Sequence, residues 1–210
     1  MLAGGALSSE KFNIGFDIGV NFSTLTGMGD ASRYNGPLFG LFADWRFSDK
    51  LHFTGGLIPL SYRGATELAP VLLGDPTLDS LTSGGTMSRS MSTIDVPLIL
   101  KFAPKRDTGP RVGVGPQFSF VLGANDRYVA ESPAGAGVVL EEDIGDQLKN
   151  IDAGLAFDLE WRWALLAIGV RYYYGMTDLV RDNPGEAIYS RVLAGSGRIP
   201  LGRKPRPKAP

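Results

Sequence analysis

From Phe12 to Ser23 the chain alternates without a break: Phe12, Ile14, Phe16, Ile18, Val20 and Phe22 are apolar, while Asn13, Gly15, Asp17, Gly19, Asn21 and Ser23 are polar or tiny. A period of two predicts a strand with one oily and one polar face. The signal recurs down the chain. In Leu38 to Phe47, the residues Phe39, Leu41, Ala43, Trp45 and Phe47 oppose Gly40, Asp44 and Arg46, with Phe42 as the exception. In Leu51 to Tyr62 the apolar face passes from Leu51 and Phe53 to Ile58, Leu60 and Tyr62, a phase change that a bulge at Gly55-Gly56 would produce. Ile94, Val96, Leu98, Leu100 and Phe102 oppose Thr93, Asp95, Pro97 and Lys101; Val112, Val114, Phe118 and Phe120 oppose Arg111, Gly113, Gly115, Gln117 and Ser119. Ile151 to Trp161 carries Asp152, Gly154, Asp158 and Glu160 on its polar face, and Leu166 to Tyr174 carries Gly169, Arg171 and Tyr173. An eighth, weaker strand falls within Ile188 to Leu201, and no helix-length window sustains a period of 3.6.

The predicted connections alternate in length. Ser48 to Lys50, Ala103 to Gly109 and Arg162 to Trp163 are short; Thr24 to Pro37, Arg63 to Ser92, Gly123 to Asn150 and Gly175 to Ala187 are long. Short periplasmic turns and long extracellular loops have this asymmetry in an outer-membrane barrel. The aromatic residues repeat it. Phe12, Phe47, Phe102, Trp161 and Trp163 fall beside short turns, and Tyr62, Tyr172 and Tyr174 beside long loops, as two interfacial girdles require. The expected fold is all-β: an eight-stranded antiparallel up-and-down transmembrane β-barrel over residues 12–201. A periplasmic segment, 1–11, precedes it and a basic, proline-rich periplasmic tail, 202–210, follows, so both termini are expected in the periplasm.

Composition narrows the classes. With 210 residues the chain suits one sizeable domain. A net charge of -1, without a clustered basic surface, argues against nucleic acid as a partner. The absence of cysteine removes disulfides and thiol chemistry. No window offers 18 uninterrupted apolar residues, so a transmembrane helix is not expected. A mean hydropathy of +0.00 is no obstacle to a barrel, because only alternate residues of a membrane strand meet lipid. Leu2 to Ser9 is too short for a signal peptide and reads as the remnant of one.

Alternation equally suits a soluble barrel whose apolar face is its core. Against that, the segments have membrane-strand length and their polar faces combine glycine with full charges. A lysine or arginine facing lipid at mid-membrane costs about 2–4 kcal/mol, and the apolar faces avoid it. The expected lumen network comprises Asp17, Asn21, Arg46, Asp95, Lys101, Arg111, Gln117, Asp158, Glu160 and Arg171, with Asp44, Asp152 and Arg162 on the same faces. Near balance of acids and bases implies pairing in a plugged interior, whereas an ion pore favours one sign.

Gly15-Phe16-Asp17-Ile18-Gly19-Val20-Asn21-Phe22-Ser23, Ile94 to Phe102, Gly113-Val114-Gly115-Pro116, Asp152-Ala153-Gly154 and Arg171 to Leu179 together resemble the PorT-like outer-membrane β-barrel family of Gram-negative bacteria. The resemblance spans nearly all of Phe12 to Leu201. It implies an OmpX-like barrel, exported with a cleaved signal peptide, in a family whose founding member is linked to type IX protein secretion.

Candidate chemistry is sparse. His52, the single histidine, lacks a nucleophile and orienting acid grouped with it in sequence, so a structural role is expected. Gly113-Val114-Gly115 lies inside a strand with no following helix and is not a dinucleotide loop. Glu141 to Asp146 lacks the alternating spacing of a calcium loop and reads as solvated acidic surface. No catalytic residue, metal or cofactor is expected. The expected role is a non-enzymatic structural or interaction subunit, in contact with membrane lipid and lipopolysaccharide and with protein partners at its extracellular loops or C-terminal tail. A small-solute channel and a soluble ligand-binding barrel are the alternatives.

Overall fold

Alternating strands leave every backbone group to be satisfied by a neighbour, and in hydrocarbon only a closed ring achieves that. The structure, a computed structural model, describes residues 11–29, 31–69, 85–105, 108–131, 137–163, 166–181 and 186–201. Its strands are β1 (Phe12–Thr26), β2 (Ser32–Arg46), β3 (Leu51–Leu68), β4 (Thr86–Phe102), β5 (Gly109–Glu131), β6 (Gly137–Asp143), β7 (Ile151–Arg162), β8 (Ala167–Gly175) and β9 (Tyr189–Pro200), all antiparallel to their neighbours. Eight of them form a ring in the order β4-β3-β2-β1-β9-β8-β7-β5, sealed by the β4–β5 pairing. The ninth, β6, lies inside the predicted Gly123 to Asn150 loop and pairs with Asn125 to Glu131 of β5. Segments 1–10 and 202–210, and much of the connection after β3, lie outside the described residues.

The predicted strand ends at the long-loop side need correction, and the first of the long links, Thr24 to Pro37, shortens with them. Strands run on past the apolar band: only residues 27–31 separate β1 from β2, β3 reaches Leu68, and β4 begins at Thr86. In these extensions most inward residues are apolar, with Arg89 and Asp126 as exceptions. Leu25, Leu68, Met87 and Met91 point inward and pack with Tyr128, Ile144 and Leu179 into an apolar plug at the long-loop end. Beyond the exposed apolar band the oily side turns inside, and a rule that continues apolar-out ends the strand too early.

The bulge in β3 is also displaced. Register shifts fall between Ile58 and Ser61, so the extra residue is at Pro59-Leu60, not at Gly55-Gly56. As a result Ile58 is buried in the lumen, and Leu57 takes the outward place predicted for it. Phe42 also enters the lumen, on the same side as Gly40 and Asp44. Gly15, its partner across the ladder, leaves room for the ring: a Cβ there would stand 2.6 Å from it and 2.3 Å from the Ile199 carbonyl oxygen. Gly15→Ala is expected to destabilise the barrel by about 1–3 kcal/mol through overpacking, measured by urea unfolding in lipid vesicles.

Candidate functional site

Because alternate residues of a strand share a face, Asp158, Glu160 and Arg162 line up along β7 and all point into the lumen. Around them the neighbouring strands supply complementary charge near the short-turn end. Lys101 Nζ lies 2.8 Å from both Asp158 Oδ1 and Glu160 Oε2. Arg198 donates through Nη2 to Asp158 Oδ2 and through Nη1 to Glu160 Oε2, each at 2.6 Å. Arg162 joins Glu160 Oε1 to Asp44 Oδ2, both at 2.9 Å, and Arg111 reaches Asp44 Oδ2 at 3.1 Å. Arg171 lies between Asp158 Oδ2 at 3.3 Å and Asp17 Oδ2 at 3.4 Å. His52 is buried beside Asp44 and Arg111, its Nδ1 3.6 Å from Asp44 Oδ2.

A second layer sits toward the long-loop end. Arg63 pairs with Asp95, reaches Asp152 Oδ2 at 3.4 Å, donates to Ser119 Oγ at 2.9 Å, and lies 5.3 Å above the Tyr173 ring. Ser61 and Thr93 donate to Asp95 at 2.6 and 3.0 Å, and Asn21 Nδ2 donates to Ser61 Oγ at 2.9 Å. Higher still, Arg89 makes a two-pronged pair with Asp126 at 2.7 and 2.6 Å.

Among the described residues seven acids and seven Arg or Lys side chains are buried, so the two signs balance in number there. Each of those carboxylates has a cationic partner, the condition under which charges removed from water are tolerated. The gap bordered by Asn21, Asp95, Gln117, Arg171 and Tyr173 has a volume of about 10 Å³, room for about one water. At that level the paired charges leave no wider space.

Of the residues expected in the lumen, Asp17, Asn21, Asp95, Lys101, Arg111, Gln117, Asp158, Glu160 and Arg171 stand buried inside the ring. Arg46 keeps the same inward phase as Asp44 but is less deeply buried. As the last residue of β2 it is half-buried at the mouth, opposite His52, where a long side chain reaches water. Sequence reasoning missed Arg63, Arg89, Arg198 and Asp126. The first two and Asp126 fell in predicted loops, although Arg63 keeps the inward phase of Ser61; Arg198 was hidden because Gly195, Ser196 and Gly197 blur the two faces of β9.

On the outer face, Phe12, Phe47, Phe102, Trp161, Trp163, Tyr172 and Tyr174 are exposed, and Tyr62 is half-buried. Trp161 and Trp163 lie 6.4 Å apart between ring centroids, and Trp45, which sequence reasoning left out of the girdle, stacks on Phe47 at 5.6 Å. From Phe12 to Phe22, at about 3.4 Å per residue and a tilt of about 45°, the apolar row of β1 rises about 24 Å, close to the lipid-facing band of outer-membrane barrels.

Residues 7–181 match the family described as outer membrane protein beta-barrel domain. The chain belongs to that family. As a member of the outer membrane protein beta-barrel family it is placed in a bacterial outer membrane. No curated protein matches the chain. Solved structures with a similar arrangement include Ail, the attachment invasion locus protein of Yersinia pestis (12% identity, 91% of this chain and 99% of that chain covered, TM-score 0.42). Neisserial surface protein A is similar at 13% identity, with 91% and 97% covered and a TM-score of 0.43. OprG from Pseudomonas aeruginosa is similar at 13% identity, with 90% and 91% covered and a TM-score of 0.40. Likeness at that level says nothing about what this member binds.

Proposed function

We propose that this protein is a closed, non-enzymatic barrel that serves as a structural or interaction subunit of the outer membrane, with its short turns and both termini in the periplasm and its strand extensions outside the cell. The observation that carries the reading is the balance of buried, paired charge in the lumen, in which Glu160 holds Lys101, Arg162 and Arg198 together. A barrel blocked in this way acts through its surfaces. The motifs of β1, β4 and β8 support a PorT-like member, for which a place beside secretion subunits is the finer expectation.

Planar-bilayer recording of the purified barrel tests the closed reading. No conductance steps above the lipid background are expected; reproducible steps in the wild type would establish the small-solute channel instead. Extraction in mild detergent tests the second half: a stoichiometric companion eluting with the barrel is expected, and a barrel that always elutes alone would remove the subunit role.

A further inference from the structure

On the outer face of β9 the row Ile199, Gly197, Gly195 and Leu193 ends at Arg191. Across the ladders Arg191 stands beside Thr24 of β1 and Tyr174 of β8. Thr24 is the first outward residue after Phe22, where the apolar row of β1 stops. The guanidinium therefore sits on the lipid-facing wall at the upper rim of the hydrophobic band. It is held in position there. Nη1 donates to the carbonyl oxygens of Gly175 at 2.7 Å and Ser190 at 2.9 Å, and Cζ lies 3.7 Å from the Tyr174 ring centroid and 5.6 Å from that of Tyr189.

Those contacts occupy one nitrogen and one face. Nε and Nη2 make no hydrogen bond among the described residues, and the carboxylate on which the Arg191 charge acts, that of Asp152, lies beyond ion-pair distance. This contrasts with the lumen, where buried cations are matched by acids. A fixed, stacked guanidinium with an open two-donor edge is suited to phosphate oxygens, which it meets in bidentate fashion. Its place beside Tyr172, Leu193 and Phe22, all exposed on the outer wall, adds apolar surface directly beneath the charge.

We propose that Arg191, stacked on Tyr174 and flanked by Tyr189, is a binding site for the phosphate of an outer-leaflet lipid whose acyl chains lie along Leu193, Phe22 and Tyr172. Inorganic phosphate offers the same oxygens, but the apolar row below the guanidinium favours a lipid as their source. The outer-leaflet assignment rests on the orientation proposed above; the phosphate contact does not.

Native mass spectrometry of the detergent-purified barrel, titrated with lipid A, with dephosphorylated lipid A, and with lipid A plus millimolar inorganic phosphate, tests the site. The wild type is expected to retain lipid A about fivefold better than the dephosphorylated form, the preference one arginine contributes near an anionic surface. Inorganic phosphate is expected not to displace it. Arg191→Gln should abolish the preference, and Tyr174→Leu, which leaves both carbonyl contacts in place, should reduce it while the barrel stays heat-modifiable on gels. Equal retention of the two lipids by the wild type, an unchanged preference in Arg191→Gln, or displacement by phosphate alone would overturn the proposal. Antibody labelling of intact cells carrying an epitope inserted after Gly29 checks the orientation separately: labelling supports the outer leaflet, and its absence overturns that assignment alone.

Discussion

Glu160→Gln is expected to destabilise the barrel by about 3–5 kcal/mol, the usual cost of removing one partner from a buried ionic cluster. The glutamate is almost completely buried and accepts from Lys101, Arg162 and Arg198 at once. Glutamine keeps the volume, so no large cavity forms, but the lumen is left with one surplus positive charge that water does not reach. Much of the loss should be recovered in Glu160→Gln combined with Lys101→Met, because neutrality returns while Arg198 and Arg162 keep Asp158 and Asp44. Urea unfolding in lipid vesicles, followed by tryptophan fluorescence, measures both. A single variant as stable as the wild type would mean that the interior is hydrated, and the closed-barrel reading would fall with it.

On the other side of the wall, Ile18→Lys is expected to cost about 2–4 kcal/mol, against about 0–1 kcal/mol for Phe22→Lys. Ile18 is exposed on the outer face near the middle of the β1 apolar row, and Phe22 stands at its end. The difference arises from depth in hydrocarbon, since a lysine at the rim extends its ammonium to the interface. Measured in lipid vesicles, equal costs at the two positions would contradict a belt bounded at Phe22. In a water-soluble barrel both changes would be nearly neutral.

Much of this architecture was legible in the sequence. β1, β7 and β8 follow from period two alone, because lipid on one side and a filled lumen on the other impose opposite demands at each successive residue. The inward acids Asp17, Asp95, Asp158 and Glu160 are identified by the same phase. Where the demand changes along a strand, the local rule loses its hold. Leu25 and Met91 face inward beyond the apolar band and Thr24 faces outward, so strand extension there resembled loop. The bulge at Pro59-Leu60 flips the phase of β3, and its position depends on how β3 pairs with both β2 and β4.

The sequence by itself determined that the chain forms alternating strands, that their oily faces match a membrane, and that fixed charge goes inside. It did so because each of those properties is decided residue by residue, by the solvent on either side. Only the tertiary structure decided which charges meet. Asp17 and Arg198 lie at opposite ends of the chain and come within 3.3 Å solely because β1 closes the ring against β9. The partners of a buried charge are set by strand order and register, which are properties of the closed sheet and are written in no single segment.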